Sequence, residues 1–315
     1  MKKLKALLLT EGMHGMISQV EGMAKALNTE YSHKIVRLNF PWNLVSSKFT
    51  LISEIILKDK VYLTENETLN LIISCGRKSV APSILLKKKN PKLFTIHIQD
   101  PKVNSKNFDA IIAPEHDNLS GDNVYSSKGA IHYITESEIN RAKSYLMDKI
   151  KGQEIISLIL GGPNKYYAFD KKELAKIFNE IKSNFLSKGY KVIVIPSLRT
   201  PKTIIDLAIE EFDVDSYVLN SVNKQAYLSA FALATNVVVT CDSTSMISEA
   251  ASSGKPIFVA HMKSKRDNYR FKRFFKLFKE MGIIRDLGEK VESWTYTKLN
   301  EAERIAAIIN NRIKN

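Results

Sequence analysis

The sequence predicts an α/β protein made of two doubly wound domains facing each other across a cleft. Three observations carry that prediction. Short apolar runs rich in Ile, Val and Leu recur along the chain, at 5–9, 34–38, 69–74, 93–98 and 108–113, as strands buried on both faces of a parallel sheet do. Helical patterns separate them, and strand alternating with helix is the grammar of a parallel sheet covered on both sides. The whole pattern then restarts after residue 150.

The elements follow in order. After the first strand, residues 16–27 read as an amphipathic helix, 44–57 as a second helix, and 80–88 as a short helix whose Pro82 sits in the first turn, where no N–H is needed. Residues 136–149 read as a polar helix, with Lys151, Gly152 and Gln153 behind it as a linker. The domains are therefore expected to span 1–150 and 151–315. In the second, 155–160 is a strand ending in Gly161-Gly162-Pro163, 170–186 a helix with Asp170 as its N-cap, and 191–195 a strand closed by Pro196. A helix at 200–212 has Pro201 at its first position. The strand 217–219, helix 224–234, strand 236–240, helix 243–253 and strand 257–260 complete the unit.

Composition sets the class. At 315 residues the chain is long enough for two ordinary cores, and 44% hydrophobic with 25% charged residues is globular. No apolar run approaches the roughly 18 to 20 residues of a membrane-spanning helix, and the start of the chain is too brief for a signal peptide, so a cytoplasmic protein is expected. Cys75 and Cys241 stand far apart and read as reduced, half-buried thiols, with no zinc-like spacing and no metal site. The formal net charge of +14 predicts attraction to anions. It is densest between Lys263 and Lys279, where Phe271, Phe274, Phe275 and Phe278 fall at i, i+3, i+4 and i+7 among Lys and Arg. Such a helix packs its Phe stripe on the domain or docks at an anionic membrane face, placing the protein peripherally on the inner side of the membrane. Nucleic acid is not expected, because no RNP motif, zinc finger or recognition helix accompanies the charge.

In open parallel sheets ligands gather at the carboxyl ends of the strands, so the loops that follow strands are the candidate sites. Thr240 to Pro256 is the most informative stretch: a β-branched strand stops, small hydroxyl residues follow, and a helix opens at Asp242 or Ser243 and closes at Gly254. The N–H groups of Ser243, Thr244 and Ser245, with the positive end of the helix dipole, suit a phosphate or diphosphate. The same residues also suffice simply to cap a helix. Glu249, further along, is placed to meet sugar hydroxyls. Gly161 and Gly162 permit close approach, and Lys165 and Arg199 can neutralise phosphate.

In the first domain the loop Thr10-Glu11-Gly12-Met13-His14-Gly15 fails the dinucleotide spacing, but Glu11 or His14 could act as general base. Cys75-Gly76-Arg77-Lys78-Ser79, Gln99-Asp100-Pro101 and Pro114-Glu115-His116-Asp117 follow the next strands. The last of these reads as polar substrate contacts or loop bracing, because metal-ligand spacings are absent.

The segment STSMISEAASSGKP resembles the donor motif of GT-B glycosyltransferases and related sugar-nucleotide epimerases. More closely, the chain resembles the family joining the plant elongated-mitochondria fission factor with bacterial glycosyltransferase relatives of lipooligosaccharide type. The resemblance spans nearly the whole chain. It rests on Gly12-x-x-Gly15-x-x-x-Gln19-x-x-Gly22-x-Ala24, Ser74-Cys75-Gly76-Arg77, Gln99-Asp100-Pro101, Phe108-Asp109, Pro114-Glu115-His116-Asp117, Gly129-Ala130-Ile131-His132, Gly161-Gly162-Pro163 and Asp242-Ser243-x-Ser245-Met246-x-Ser248-Glu249-Ala250. It implies two Rossmann-like domains of GT-B type and a metal-independent glycosyltransferase that takes a nucleotide-sugar as substrate and needs no cofactor. A cell-envelope glycolipid or saccharide would be the acceptor. The implied donor set is Gly161, Gly162, Lys165, Arg199, Ser243, Thr244, Ser245 and Glu249, the last on the ribose. Gly12, Gly15, Gln19, Arg77, Gln99 and Asp100 form the acceptor side, with Glu11, His14, Glu115 and His116 as catalytic candidates. The resemblance equally admits a non-catalytic membrane-associated adaptor, or a sugar-nucleotide epimerase or hydrolase.

Overall fold

The computed structural model describes residues 3–59, 69–150, 154–212, 216–288 and 291–314. The expected linker at 151–153 lies outside them. The chain forms two compact units, residues 1–133 with 300–315, and residues 134–299.

The first unit holds a six-stranded parallel sheet. Its strands are β1 (Lys5–Thr10), β2 (Glu30–Ile35), β3 (Leu71–Cys75), β4 (Phe94–Ile98), β5 (Ala110–Pro114) and β6 (Val124–Ser127), in the order β2-β1-β3-β4-β5-β6. Helices α1 (His14–Ala26) and α2 (Val80–Lys89) connect them. The order reverses between β1 and β3, which makes the loops after those two strands the topological switch point. Apart from Ser74, β1, β3 and β5 are Leu, Ile and Ala in their middles because both faces are covered.

The second unit starts with α3 (Glu136–Ala142) and α4 (Ser144–Met147), which pack on a later helix, α7 (Lys224–Leu233). This packing puts the division between Tyr133 and Ile134 rather than at residue 150. The sheet comprises β7 (Ile155–Leu160), β8 (Lys191–Pro196), β9 (Tyr217–Val218), β10 (Asn236–Thr240), β11 (Ile257–Ala260) and β12 (Ile284–Asp286), in the order β12-β11-β10-β7-β8-β9. Counted from β7, that is the dinucleotide-fold order 3-2-1-4-5-6, with its switch point between β7 and β10. Helices α5 (Lys171–Asn184), α6 (Lys202–Glu211), α8 (Thr244–Ala251) and α9 (Tyr269–Glu280) complete the unit, and α10 (Glu301–Lys314) returns to the first.

Three expectations about these elements change. The helix expected at 44–57 does not form: the segment is irregular, with single 3-10 turns at Ser47–Phe49 and Glu54–Ile56. A serine and a distant arginine take backbone groups in it and just before it. Ser53 accepts from the Ile55 N–H, and Arg77 donates to the carbonyls of Trp42, Asn43 and Val45. The strand expected at 34–38 lies earlier, at 30–35, because β1 offers partners only from Lys5 to Thr10. Val36 and Leu38 are still buried, but against Leu57 rather than in the sheet. Pro201 is the N-cap of α6 instead of its first residue. The basic helix forms as α9, and of the two roles open to its Phe stripe it takes packing on the domain: Phe271, Phe274 and Phe278 are buried and stack with one another and with Tyr166 and Tyr167. Its apolar face is core.

Three elements go beyond the sequence reading: β6, β12 and α10. α10 buries Ala302, Ile305, Ala306 and Ile309 in the first unit's core, and Glu301 accepts from the Lys128 N–H at 2.7 Å.

The motif glycine Gly22 has a purely structural account. A Cβ there would lie 2.3 Å from the carbonyl oxygen of His132, a backbone atom with no freedom to move aside. Gly22→Ala is expected to destabilise the first unit by about 2–3 kcal/mol, a typical cost of overpacking, read as a lower denaturant midpoint with unchanged slope.

Candidate functional site

The switch point of the second unit is organised around Asp242. It directly follows the buried strand β10 and is 3% exposed. Its Oδ1 accepts from the Thr240 hydroxyl at 2.7 Å, and its Oδ2 accepts from the Gly162 N–H at 3.0 Å and from the Arg199 guanidinium at 2.8 Å. Burial raises the carboxyl above its ordinary range, while these donors and the Arg199 charge pull it back. Asn164 donates to the Asp242 carbonyl at 3.0 Å, and Thr200 donates to the carbonyls of Leu160 and Gly161 at 3.0 and 2.5 Å. The loops after β7, β8 and β10 are thereby tied into one body.

This network explains the two glycines. A Cβ on Gly161 would sit 2.2 Å from the Asp242 carboxylate, and one on Gly162 would sit 2.1 Å from the Arg199 carbonyl. The close approach they permit is that of the protein's own loops. Arg199 is likewise occupied: beyond Asp242 it donates to the Gly162 carbonyl at 2.8 Å, so its charge is largely cancelled inside the site. Of the expected phosphate partners, Lys165 is exposed and lies 4.8 Å over the Tyr166 ring.

Helix α8 opens onto this body. Ser243 is its N-cap, the hydroxyl accepting from the Met246 N–H at 3.3 Å. Helix geometry leaves the N–H groups of Thr244 and Ser245 without intrahelical acceptors, and both residues are partly exposed. They carry the partial positive charge of the dipole, to which anions are drawn. Little more than one turn on, Glu249 is half-buried and accepts from the Tyr227 hydroxyl of α7 at 2.7 Å. Burial raises its pKa to about 7. Asp242 as the hub and Tyr227 as the partner of Glu249 are the residues the sequence reading missed. Only the paired glycines hinted at the first, since they mark a close approach.

In the first unit the sequence candidates separate by what each one touches. Glu11 accepts from the Lys78 backbone at 3.1 Å and pairs with the Lys78 ammonium at 3.1 Å, which braces the switch point. Gln19 is buried, donates to the Gly15 carbonyl and accepts from Gln99 at 3.4 Å. Gln99 holds a left-handed φ of 84°, as Gly12 does at 85°. Gly15 faces open space and His14 is exposed, at the start of α1, where no side chain caps the helix. Asp100 turns onto Lys102 at 2.5 Å. Beyond β5, Glu115 pairs with Lys128 at 2.6 Å.

Two assignments change. Arg77 spends its guanidinium on the carbonyls of residues 42–45 and is a brace. His116 is buried, with Asp117 at 3.8 Å, which keeps its imidazole out of solvent. Cys75 and Cys241 are fully buried; burial raises both thiols, Cys241 to about 12. Among the described residues no three His, Cys, Asp or Glu side chains group as a metal requires.

The geometry makes two predictions. Arg199→Ala leaves Asp242 buried with only two donors and is expected to cost about 2–3 kcal/mol, less than a fully buried pair because Arg199 is partly exposed. In Arg199→Ala/Asp242→Asn the combined loss in urea unfolding should fall short of the sum. Glu249 has a folded pKa raised from 4.5 to about 7, so the folded state holds the extra proton and stability falls as pH rises across that window. Glu249→Gln should abolish this fall and be more stable than the parent above pH 7 by about 1–2 kcal/mol, checked by urea unfolding at both ends of the window.

Known proteins place the fold and the family. The structure matches a UDP-GlcNAc 2-epimerase from Methanocaldococcus jannaschii over 98% of this chain and 99% of that one, with a TM-score of 0.55 and 13% identity. It matches a UDP-glucosyltransferase from Polygonum tinctorium over 99% and 90%, with a TM-score of 0.53 and 9% identity. These show the GT-B-like fold expected from the sequence. The mitochondrial fission protein ELM1 of Arabidopsis thaliana is 25% identical over 277 residues, covering 77% of this chain, and this chain spans 64% of the length of that protein. An uncharacterised protein of Rickettsia prowazekii is 28% identical over 290 residues, covering 78% and 80%. The family model described as mitochondrial fission ELM1 matches residues 14–313, and the chain belongs to that family.

Proposed function

We propose that the protein binds a nucleotide-sugar at the N-terminus of α8 and acts as a metal-independent glycosyltransferase on a cell-envelope glycolipid or saccharide. The observation that carries the reading is the switch point of the second unit, where three loops are locked together by Asp242 and the uncapped N–H groups of Thr244 and Ser245 remain for a ligand. In this reading the diphosphate lies against those groups, with Lys165 beside it. Arg199 acts through Asp242, holding the loops rather than meeting the phosphate. Glu249 takes the ribose hydroxyls, whose hydrogen bonds favour the carboxylate and release its proton.

The acceptor side falls to the first unit, around Gly12, Gly15, Gln19, Gln99 and Asp100. Of the catalytic candidates, His14 has the exposed imidazole that a general base requires. Solved structures of like fold support the donor reading, because several were determined with UDP or UDP-GlcNAc bound, including an epimerase from Neisseria meningitidis.

Family membership supports a second reading, a non-catalytic adaptor in which the cations of α9 meet an anionic surface. The two part in one experiment. Nucleoside diphosphates and nucleotide-sugars are expected to raise the melting temperature, and Ser245→Asp should abolish the shift by setting a carboxylate against the phosphate. Glu249→Ala should weaken nucleotide-sugar binding about tenfold or more, as loss of a charged hydrogen bond does. No shift with any nucleotide would overturn the enzyme reading. A product with altered sugar stereochemistry and no transfer would mark an epimerase.

A further inference from the structure

The segment between β2 and β3 leaves unusually large apolar side chains in solvent. Phe40 is 79% exposed, Leu44 75%, Phe49 69%, Ile55 74% and Leu51 48%. Single exposed apolar residues need no explanation, but five within one loop do. The loop is also held in shape. Asn39 bonds the carbonyls of Ile55 and Leu57, which sets Phe40 beside the 54–56 turn. Arg77 grips residues 42–45, and the buried Ser47 donates to the Pro101 carbonyl at 2.6 Å. Those anchors belong to the loops after β3 and β4, so the apolar residues hang at the rim where the first unit's candidate residues lie. A network of this kind fixes the side chains outward rather than leaving them to collapse onto the core.

The charge around the loop selects the partner. Lys48 lies 5.7 Å over the Phe49 ring, and Lys58, Lys88 and Lys92 are exposed nearby without ion pairs among the described residues. Glu54, the acid next to Ile55, is paired with Lys89. Exposed Leu, Ile and Phe flanked by lysines are the composition of an interfacial anchor: the apolar groups enter the acyl boundary and the ammonium groups meet lipid phosphates. A whole-chain charge of +14 brings the protein to such a surface. Helix α9 has the cations but no apolar face to insert, since its phenylalanines are buried.

We infer that residues 40–55 dock the first unit onto an anionic phospholipid bilayer by inserting Leu44, Phe49 and Ile55, with Lys48, Lys58, Lys88 and Lys92 at the headgroups. The inference is independent of the nucleotide reading. It is tested with vesicles of phosphatidylcholine, with and without phosphatidylglycerol. The full chain should sediment with the anionic vesicles, and Leu44→Ser/Phe49→Ser/Ile55→Ser should lower the partition about tenfold or more with an unchanged melting temperature. Lys272→Glu/Lys276→Glu on α9 should change it much less. Phe49→Cys bearing an environment-sensitive fluorophore should shift to the blue on vesicles, the native thiols being buried and unlabelled. Absence of vesicle binding, undiminished binding by the triple serine variant, loss in the α9 variant instead, or a silent label on a bound protein would each overturn it.

Discussion

The second unit depends on one buried carboxylate. Taking an unpaired carboxylate out of water costs several kcal/mol, and Asp242 at the end of β10 offsets that cost with a hydroxyl, a backbone N–H and a guanidinium drawn from three different strand ends. Each donor has its own geometric demand, so together they leave the loops little freedom. Gly161 and Gly162 are then obligatory, because any side chain would occupy the space of the carboxylate or of the Arg199 backbone. The start of α8 inherits this rigidity. Its outward N–H groups are held before any ligand arrives, and preorganisation is what lets backbone dipoles bind anions without a further ordering cost.

The fold was legible where periodicity and burial coincide. β7, β10 and β11 lie where their β-branched runs end, because a strand buried on both faces has to be apolar along its full length. The α8 start was legible from Ser243 and its hydroxyl neighbours. Reading failed where a distant residue decides. Residues 44–57 carry helix-like apolar spacing, yet Arg77 takes the Val45 carbonyl and those of Trp42 and Asn43 just before it, and no local pattern announces a partner more than thirty positions away. The helical spacing of Ala302, Ile305, Ala306 and Ile309 is visible in the sequence; that the helix belongs to the first unit is not. In the site itself the sequence shows the residue types but not which atoms each of them touches. Arg77 and Arg199 look like anion receptors in a list of cations, and each is consumed by oxygen atoms of the fold.

The two switch points follow the same topological rule with different chemistry. In the second unit an internal ion pair locks the loops and a serine caps the helix. In the first, Glu11 and Lys78 brace the loops, while α1 starts at Met13 with no side-chain cap. Beside it Gln19 links Gly15 to a strained Gln99, a buried amide chain suited to polar, uncharged groups rather than to phosphate. An anion-binding donor end and a hydroxyl-binding acceptor end would differ in this sense.

The net charge belongs to neither site. Asp242 largely cancels Arg199 and Glu11 cancels Lys78, so the switch points are close to balanced. The surplus resides on surfaces such as α9 and the end of α2, where Lys88 is exposed while Lys87 and Lys89 pair with Asp109 and Glu54. Charge spread over a periphery acts at the range of the Debye length, about 8 Å at physiological salt, and concentrates a protein near an extended anionic surface rather than selecting a small ligand. In the proposed function, selectivity for a small anion rests instead on the short-range N–H groups of α8. In that reading the two electrostatic tasks are separate, and only the local one depends on the carboxylate at the end of β10.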